Sequence, residues 1–435
     1  MDNTVAKTDV VSARMTTVRW RMFILLLFVG ALSYIDRISL SIGMPLIVEE
    51  FNISPNMQGI LLSAFFWTYA FFQIPGGWLV DKIGPRRLLT WAVTAWSLCQ
   101  LLTGLSFNIT MMLLARLGLG MAEAPQYPTG AKLAACWLPV KERARGAVLM
   151  DSSSTLGAAV GSLIVAGLIS LLGGWRESFI AVAIITAGAG WIIHKYIRDR
   201  PEQHPQANKQ EVDYINEENS REDSDSESSR YKGPVKRFLK HPTFWFMAIG
   251  FMTANMLFYG LLTFGPVYLF QARGLDIKGL AGASFLIYIC GFVGENVAGW
   301  ITQKLLARGM RQNLVMRSLL GISAAFASCS ILSVAYVQSA ELAIALLAAT
   351  LFFGRFLGLY WSLPGTLTIR SQSGILGGMM NFFSNVGGII IPLITGFVVS
   401  YTGSYFAALI LFSVCGFIYL VCSLLINYET KLELS

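Results

Sequence analysis

The sequence predicts an all-α integral membrane protein with twelve transmembrane helices in two pseudo-symmetric six-helix halves. Three observations carry this. Of the 435 residues, 54% are hydrophobic and only 13% are charged, about half the charged share of a soluble chain. Apolar runs of about twenty residues recur along the chain, each long enough to cross roughly 30 Å of hydrocarbon as a helix, whereas barrel strands would need only about ten and would alternate. An acidic, Ser-rich interval near the middle separates six runs from six.

The first run, Trp20 to Ile42, follows Lys7, Arg14, Arg19 and Arg21. That basic flank has the look of a signal peptide, but the run is too long and no Ala-x-Ala site follows it. An uncleaved first helix with a cytoplasmic N-terminus is expected. Within it Asp36 and Arg37 place opposite charges at membrane depth, where a charge is costly unless it is paired or functional. Met57 to Val80 and Leu88 to Leu105 flank a basic turn, and Thr110 to Leu133 contains Arg116 and Glu123. Ala144 to Leu171 opens near Asp151-Ser152-Ser153-Ser154-Thr155, and Ser178 to Ile197 closes the first half. The second half reads Phe244 to Phe270, Leu280 to Gln303 with Glu295, Leu314 to Val337, Leu342 to Thr366 with Arg355, Leu376 to Val399 and Tyr405 to Ile426. The expected domains are 1–197, a cytoplasmic acidic linker at 198–240, and 241–435. The linker core, Glu217 to Glu227, cannot bury enough apolar surface to fold alone.

The net charge of +8 reports topology rather than nucleic-acid binding, because the cations are spread over short loops. One set of loops holds Lys82, Arg86 and Arg87, then Lys141, Arg143 and Arg145, then Lys304, Arg308, Arg311 and Arg317, then Arg370. The opposite set holds Glu49 and Glu50, Arg176 beside Glu177, a mixed Arg273-Asp276-Lys278, and Glu341. This asymmetry places both termini in the cytoplasm. The six cysteines show no CxxC spacing, and His194, His204 and His241 fall at helix ends or in the linker. No cofactor, metal site or nucleophile–His–acid constellation is expected.

The halves carry an internal repeat. Gly77-Trp78-Leu79-Val80-Asp81-Lys82 leaves the second run, and Gly299-Trp300-Ile301-Thr302-Gln303-Lys304 leaves the eighth. Duplicated halves are an architecture of alternating-access transporters. The first copy continues through Ile83-Gly84-Pro85-Arg86-Arg87, and the whole resembles the G-x-x-x-D-[RK]-x-G-x-[RK]-[RK] signature of the major facilitator superfamily. Gly77 and Gly84 would make the turn, while Asp81, Arg86 and Arg87 would latch helix ends in one conformational state. The second copy has Gln303 in place of the acid.

Tyr34 to Leu40, Phe72-Gln73-Ile74-Pro75-Gly76-Gly77-Trp78 and Gly120 to Thr129 resemble the anion:cation symporter family of that superfamily, in particular its bacterial galactonate and hexuronate transporters. The resemblance runs over essentially the whole chain. It implies the major facilitator fold, a multi-pass bacterial inner-membrane protein, and proton-coupled import of an organic anion with Asp36 and Glu123 carrying protons. It also implies that Arg37, Arg116, Tyr69, Trp361 and Asn381 lie at or near the substrate. Where a galactonate transporter would have a glutamine in the fifth helix, this chain offers Ser154.

The residues support a relay independently. Arg116 and Glu123 are seven apart and share a helix face, about two turns and 10 Å from one another. An acid–base–acid path through an apolar bundle is how a proton relay is built, and two buried ion pairs holding helices together is the plain alternative. Glu295 and Arg355 lie at comparable depth and are expected either to pair or to free Arg355 for a substrate carboxylate. Tyr34, Tyr69, Tyr360 and Trp361 can stack on a hydroxylated ligand, and Asn255, Asn381 and Asn385 can bond its hydroxyls, although such groups also bridge membrane helices. Asp151 sits one to two turns into the fifth helix, at a depth compatible with cytoplasmic water, and its role stays open. The leading expectation is a proton-driven importer of a sugar acid such as galactonate or glucuronate, acting as a monomer in the bilayer. Another organic anion, aromatic or dicarboxylic, is the rival, and a drug/proton antiporter the reading from a different class.

Overall fold

The computed structural model describes residues 15–217, 235–368, 370–430 and 432. Lys7, Arg14 and the acidic core from Glu218 to Glu227 lie outside them, as do the side chains of Lys141 and Arg370. Among the described residues every regular element is helical. The N-terminal half comprises α1 (Val18–Phe51), α2 (Pro55–Ile83), α3 (Pro85–Gly104), α4 (Ile109–Glu123), α5 (Gln126–Trp137), α6 (Val140–Leu172) and α7 (Trp175–Tyr196). The C-terminal half comprises α8 (Pro242–Gln271), α9 (Ile277–Ala307), α10 (Gln312–Tyr336), α11 (Ala340–Gly354), α12 (Leu363–Leu367), α13 (Arg370–Thr402) and α14 (Phe406–Leu425).

Among the described residues ten helical stretches are long and apolar enough to cross a membrane. Two of the twelve expected runs fall short. Helix α3 is diluted by Arg86, Arg87 and Gln100, and the fourth run is split into α4 and α5. Its break follows from Pro125 and Pro128, which remove the donors that would bond the carbonyls of Met121 and Ala124. The tenth run breaks too. Helix α11 stops at Gly354, a 3₁₀ segment runs from Arg355 to Ser362, and α12 resumes. Interrupted helices at corresponding places in two halves point to a transport site.

The halves meet through α2 against α13 and, by the same pseudo-symmetry, α9 against α6, with α1 beside α8 at the centre. Glycine lets the first pair touch backbone to backbone. A Cβ on Gly59 would fall 2.6 Å from the Pro392 carbonyl, and one on Gly396 would fall 2.6 Å from that of Pro55. Farther along the same helices the Asn381 amide donates to Gln73 Oε1 at 2.8 Å.

Each half is clasped at its ends. At the α1–α2 loop end, Glu50 accepts from Trp175 Nε1 at 2.8 Å and pairs with Arg176, which also donates to the Ser106 carbonyl. At the other end the signature turn is tied inside its own half. Asp81 pairs with Lys132 of α5 at 2.8 Å, and Gly84 takes φ +88° where a Cβ would meet the Asp199 carboxylate. The Arg86 amide donates to that carboxylate at 2.7 Å and its guanidinium to the His194 carbonyl, while Arg87 is exposed. A Cβ on Gly77 would lie 4.0 Å from Pro128, and one on neighbouring Gly76 would fall 2.9 Å from Pro125. Lys82 over Trp78, at 4.8 Å, and Lys304 over Trp300, at 4.7 Å, repeat the same contact in the two copies.

The expected linker begins later than its composition suggests. Residues 209–217 are helical, and buried Glu211 accepts from Arg19 at 2.9 Å and from the Thr16 hydroxyl at 2.7 Å. His204 packs against Trp137 and Tyr196. A buried acid paired to α1 makes this stretch part of the N-terminal half.

Candidate functional site

A cavity of about 410 Å³ lies between the halves. From α1 and α2 it receives Tyr34 and Tyr69, from α5 Tyr127, and from α6 Asp151 and Ser154. Across from these stand Phe258 and Tyr259 of α8, Arg355 and Trp361 of the 3₁₀ segment, and Asn381 with Ser384 of α13. The wall joins aromatic faces to a few convergent polar groups, the chemistry of a small-molecule site.

Arg355 is the cation of this cavity. Its Nη2 donates to Glu295 Oε2 at 2.6 Å, to Asp151 Oδ2 at 3.1 Å and to Ser154 Oγ at 3.1 Å, and its Nε donates to the same Glu295 oxygen at 3.2 Å. The guanidinium also lies 4.8 Å from the Phe258 ring centroid. Asp151 therefore does not simply face water. It joins the two halves through a residue 204 positions away.

Arg37 and Arg116 stand elsewhere. Arg37 donates to Glu123 Oε2 through Nη2 at 2.8 Å and Nε at 3.1 Å, and its guanidinium is packed among Tyr34, Phe65 and Tyr69, 4.3–4.7 Å from their centroids. The Tyr34 and Tyr69 rings thus separate it from the main cavity. Together with Arg116 it lines a second cavity of about 340 Å³ on the side of Leu61, Leu262 and Thr263. Arg116 Nη1 donates to the backbone carbonyl of Asp36 at 3.0 Å, while its Nε and Nη2 make no hydrogen bond to described residues. The Asp36 carboxylate is fully buried, and neither oxygen comes within hydrogen-bond geometry of a described residue. Arg37, its neighbour in sequence, points to Glu123 because residues one apart on a helix face different ways.

Access runs from one side. Asp151 keeps 16% of its side chain exposed, against 5% for Arg37 and none for Glu123. Trp361 and Asn381 are half-buried, whereas Tyr34 and Tyr259 are buried. The more exposed lining groups, Asp151, Trp361 and Asn381, lie toward the end bearing the signature turn, and the halves touch closely where Gly59 meets Gly396.

Of the residues singled out in the sequence, Tyr34, Tyr69, Ser154, Trp361, Asn381 and Arg355 come together around one space. Asp36, Arg37, Arg116 and Glu123 form a separate layer behind its aromatic wall. Tyr127, Tyr259, Phe258 and Ser384 escaped notice, since a lining tyrosine in an apolar run reads like core. Tyr127 carried a usable signal in its place between Pro125 and Pro128.

The Major Facilitator Superfamily model matches residues 26–392. The "Probable galactarate/D-glucarate transporter GudP" of Escherichia coli (strain K12) is 30% identical over 96% of this chain and 95% of the relative. The "Probable L-galactonate transporter" of the same strain is 32% identical over 93% and 88%, and the "Hexuronate transporter" of Bacillus subtilis (strain 168) is 30% identical over 89% and 90%. Among solved structures, a bacterial homolog of the human lysosomal transporter Spinster aligns with TM-score 0.75 at 17% identity, covering 94% of this chain and 97% of that one. Family model, relatives and fold agree with the duplicated bundle and its central cavity: the chain belongs to the Major Facilitator Superfamily, and it is a transporter rather than an enzyme.

Proposed function

We propose that the chain is a proton-coupled symporter that imports a sugar-acid anion by alternating access, with twelve membrane crossings, cytoplasmic termini and a place in a bacterial inner membrane. The observation that carries this reading is the cavity between the halves. It combines one guanidinium with aromatic faces from Tyr34, Tyr69 and Trp361 and with amide and hydroxyl groups from Asn381, Ser384 and Ser154. A carboxylate needs the cation, and a polyhydroxylated chain needs the polar rim and the stacking faces. The names of the relatives support the same substrate class.

Coupling rests on the layer behind the wall. Glu123 holds Arg37 here, and the approach or withdrawal of that guanidinium as the halves rock would decide whether the carboxylate keeps a proton. Asp36 and Arg116 would complete the relay, and the second cavity would carry Arg37 and Arg116 toward substrate once the opposite end opens. The basic loops at the open end support a cytoplasm-facing state.

A hexonate or hexuronate is the first reading of the substrate. A dicarboxylic sugar acid is the second, favoured by the galactarate and D-glucarate names of close-length relatives. Counterflow in proteoliposomes with galactonate, glucuronate, D-glucarate and an aromatic acid separates them. Exchange with the sugar acids is expected, and exchange with the aromatic acid alone would overturn the proposal.

A further inference from the structure

Arg355 has two kinds of carboxylate partner. Glu295 belongs to α9 in the same half, sits 5% exposed, and takes both of its hydrogen bonds with Arg355 on one oxygen. Asp151 belongs to the other half, lines the cavity, and holds Arg355 by a single longer bond alongside Ser154. Glu295 is thus the fixed partner and Asp151 the exchangeable one.

The charges set the condition for entry. One guanidinium and two carboxylates leave this group at a net charge of −1, so an arriving anion would add a third carboxylate around a single cation. We propose that Asp151 is the proton-exchanging gate of the substrate site: a substrate carboxylate takes its position on Arg355 Nη2 and Ser154 Oγ, and Asp151 leaves that position by taking up one proton. The exchange balances. One proton from water forms the Asp151 O–H bond, the Asp151–Arg355 hydrogen bond breaks, one carboxylate–Arg355 hydrogen bond forms, and the local charge is −1 before and after. The Ser154 hydroxyl turns from accepting the Arg355 hydrogen bond to donating to the substrate carboxylate, and no other covalent bond is made or cleaved.

The exchange also changes what joins the halves. With Asp151 ionised, α6 is tied to Arg355 directly, and with substrate bound, the ligand links Arg355 to Ser154 instead. The other ionisable groups facing Asp151 are Glu295 from α9, Tyr127 from α5 and Tyr259 from α8. Tyrosines ordinarily titrate near pH ~10 and stay neutral between about pH 5 and 8. This inference rests on the reading of the cavity as a sugar-acid site and adds Asp151 to the relay of Asp36 and Glu123.

The test is equilibrium binding of radiolabelled D-glucarate and D-galactonate to the purified full-length protein across that pH range. Each proton taken up with the anion weakens binding by about tenfold per pH unit once its site is deprotonated. Asp151→Asn is expected to lower the wild-type slope by about one decade per pH unit, and Asp151→Ser to do the same should the amide disturb folding. Asp151→Glu is expected to keep the slope, and Ser154→Ala to weaken binding equally at every pH. A slope unchanged in both neutral variants overturns the gate while leaving the sugar-acid reading in place. Wild-type protein that binds neither acid at any pH overturns that reading and the gate with it.

Discussion

The fourth and tenth apolar runs break at matching depths, but the charges at the two breaks are treated differently. Helices α4 and α11 both start at the same end of the bundle and both run for 15 residues, about 22 Å. At the first break Glu123 meets Arg37 behind an aromatic wall, and Asp36 and Arg116 keep oxygens and nitrogens that bond no described residue. At the second break Arg355 makes four hydrogen bonds, through Nε and Nη2, to Glu295, Asp151 and Ser154 and faces the cavity. One break stores unmet polar demand inside a single half, whereas the other spends its hydrogen bonds across both. That division suits a molecule in which protons are handled in the N-terminal half and the ligand is held between halves.

The comparison can be broken most forcefully at Arg355. Replacing it with alanine strands two carboxylates, a loss of about 3 kcal/mol in stability, and removes the cavity's cation, so uptake is expected to be lost, and the Glu295→Ala, Arg355→Ala double variant is expected not to recover it. Recovery in a radiolabel uptake assay would reduce Arg355 to a helix tie. Next comes Glu123→Gln, which is expected to abolish accumulation of sugar acid against a gradient and the proton uptake that accompanies it. Wild-type accumulation in proteoliposomes would move coupling away from the α4 break.

Stability sharpens the contrast. Asp36→Asn removes a buried carboxylate that hydrogen-bonds no described residue, so the thermal unfolding midpoint in detergent is expected to hold or rise while proton-driven uptake falls. Glu295→Gln removes one partner of a buried pair and is expected to lower stability by about 3 kcal/mol. Equal shifts for the two variants would erase the difference between the breaks. The smallest effect is expected for Asn381→Ala, which deletes one interhelical amide bond worth about 0.6 kcal/mol, roughly a threefold change in apparent affinity.

Much of this frame was legible because lipid imposes a length and a polarity on each crossing. Asp36, Arg37, Arg116, Glu123, Glu295 and Arg355 stood out as charges within apolar runs, and the duplicated Gly-Trp turn exposed the two halves. Partner choice was not legible. The bond from Arg37 to Glu123 spans 86 residues and that from Arg355 to Asp151 spans 204, separations at which periodicity carries no register. The breaks were hidden for different reasons. Pro125 and Pro128 are as compatible with a kink as with an interruption, and the 3₁₀ turn from Arg355 has no proline until Pro364. The role of Asp151 stayed open because depth alone placed it near an aqueous end, and depth does not say what a neighbouring half brings to meet it.

The crossing of Gly59 with Gly396 has a mechanical consequence. Two backbones in contact cannot approach further, so any tilt of the halves must turn about that point as about a fulcrum. Gln73 lies fourteen residues along α2 from Gly59, a lever arm of about 21 Å. A tilt of about 10° would sweep it through about 4 Å, far beyond the reach of its hydrogen bond to Asn381. The amide bridge is therefore the first tie to part under a small rotation, and leverage rather than bond strength makes it so.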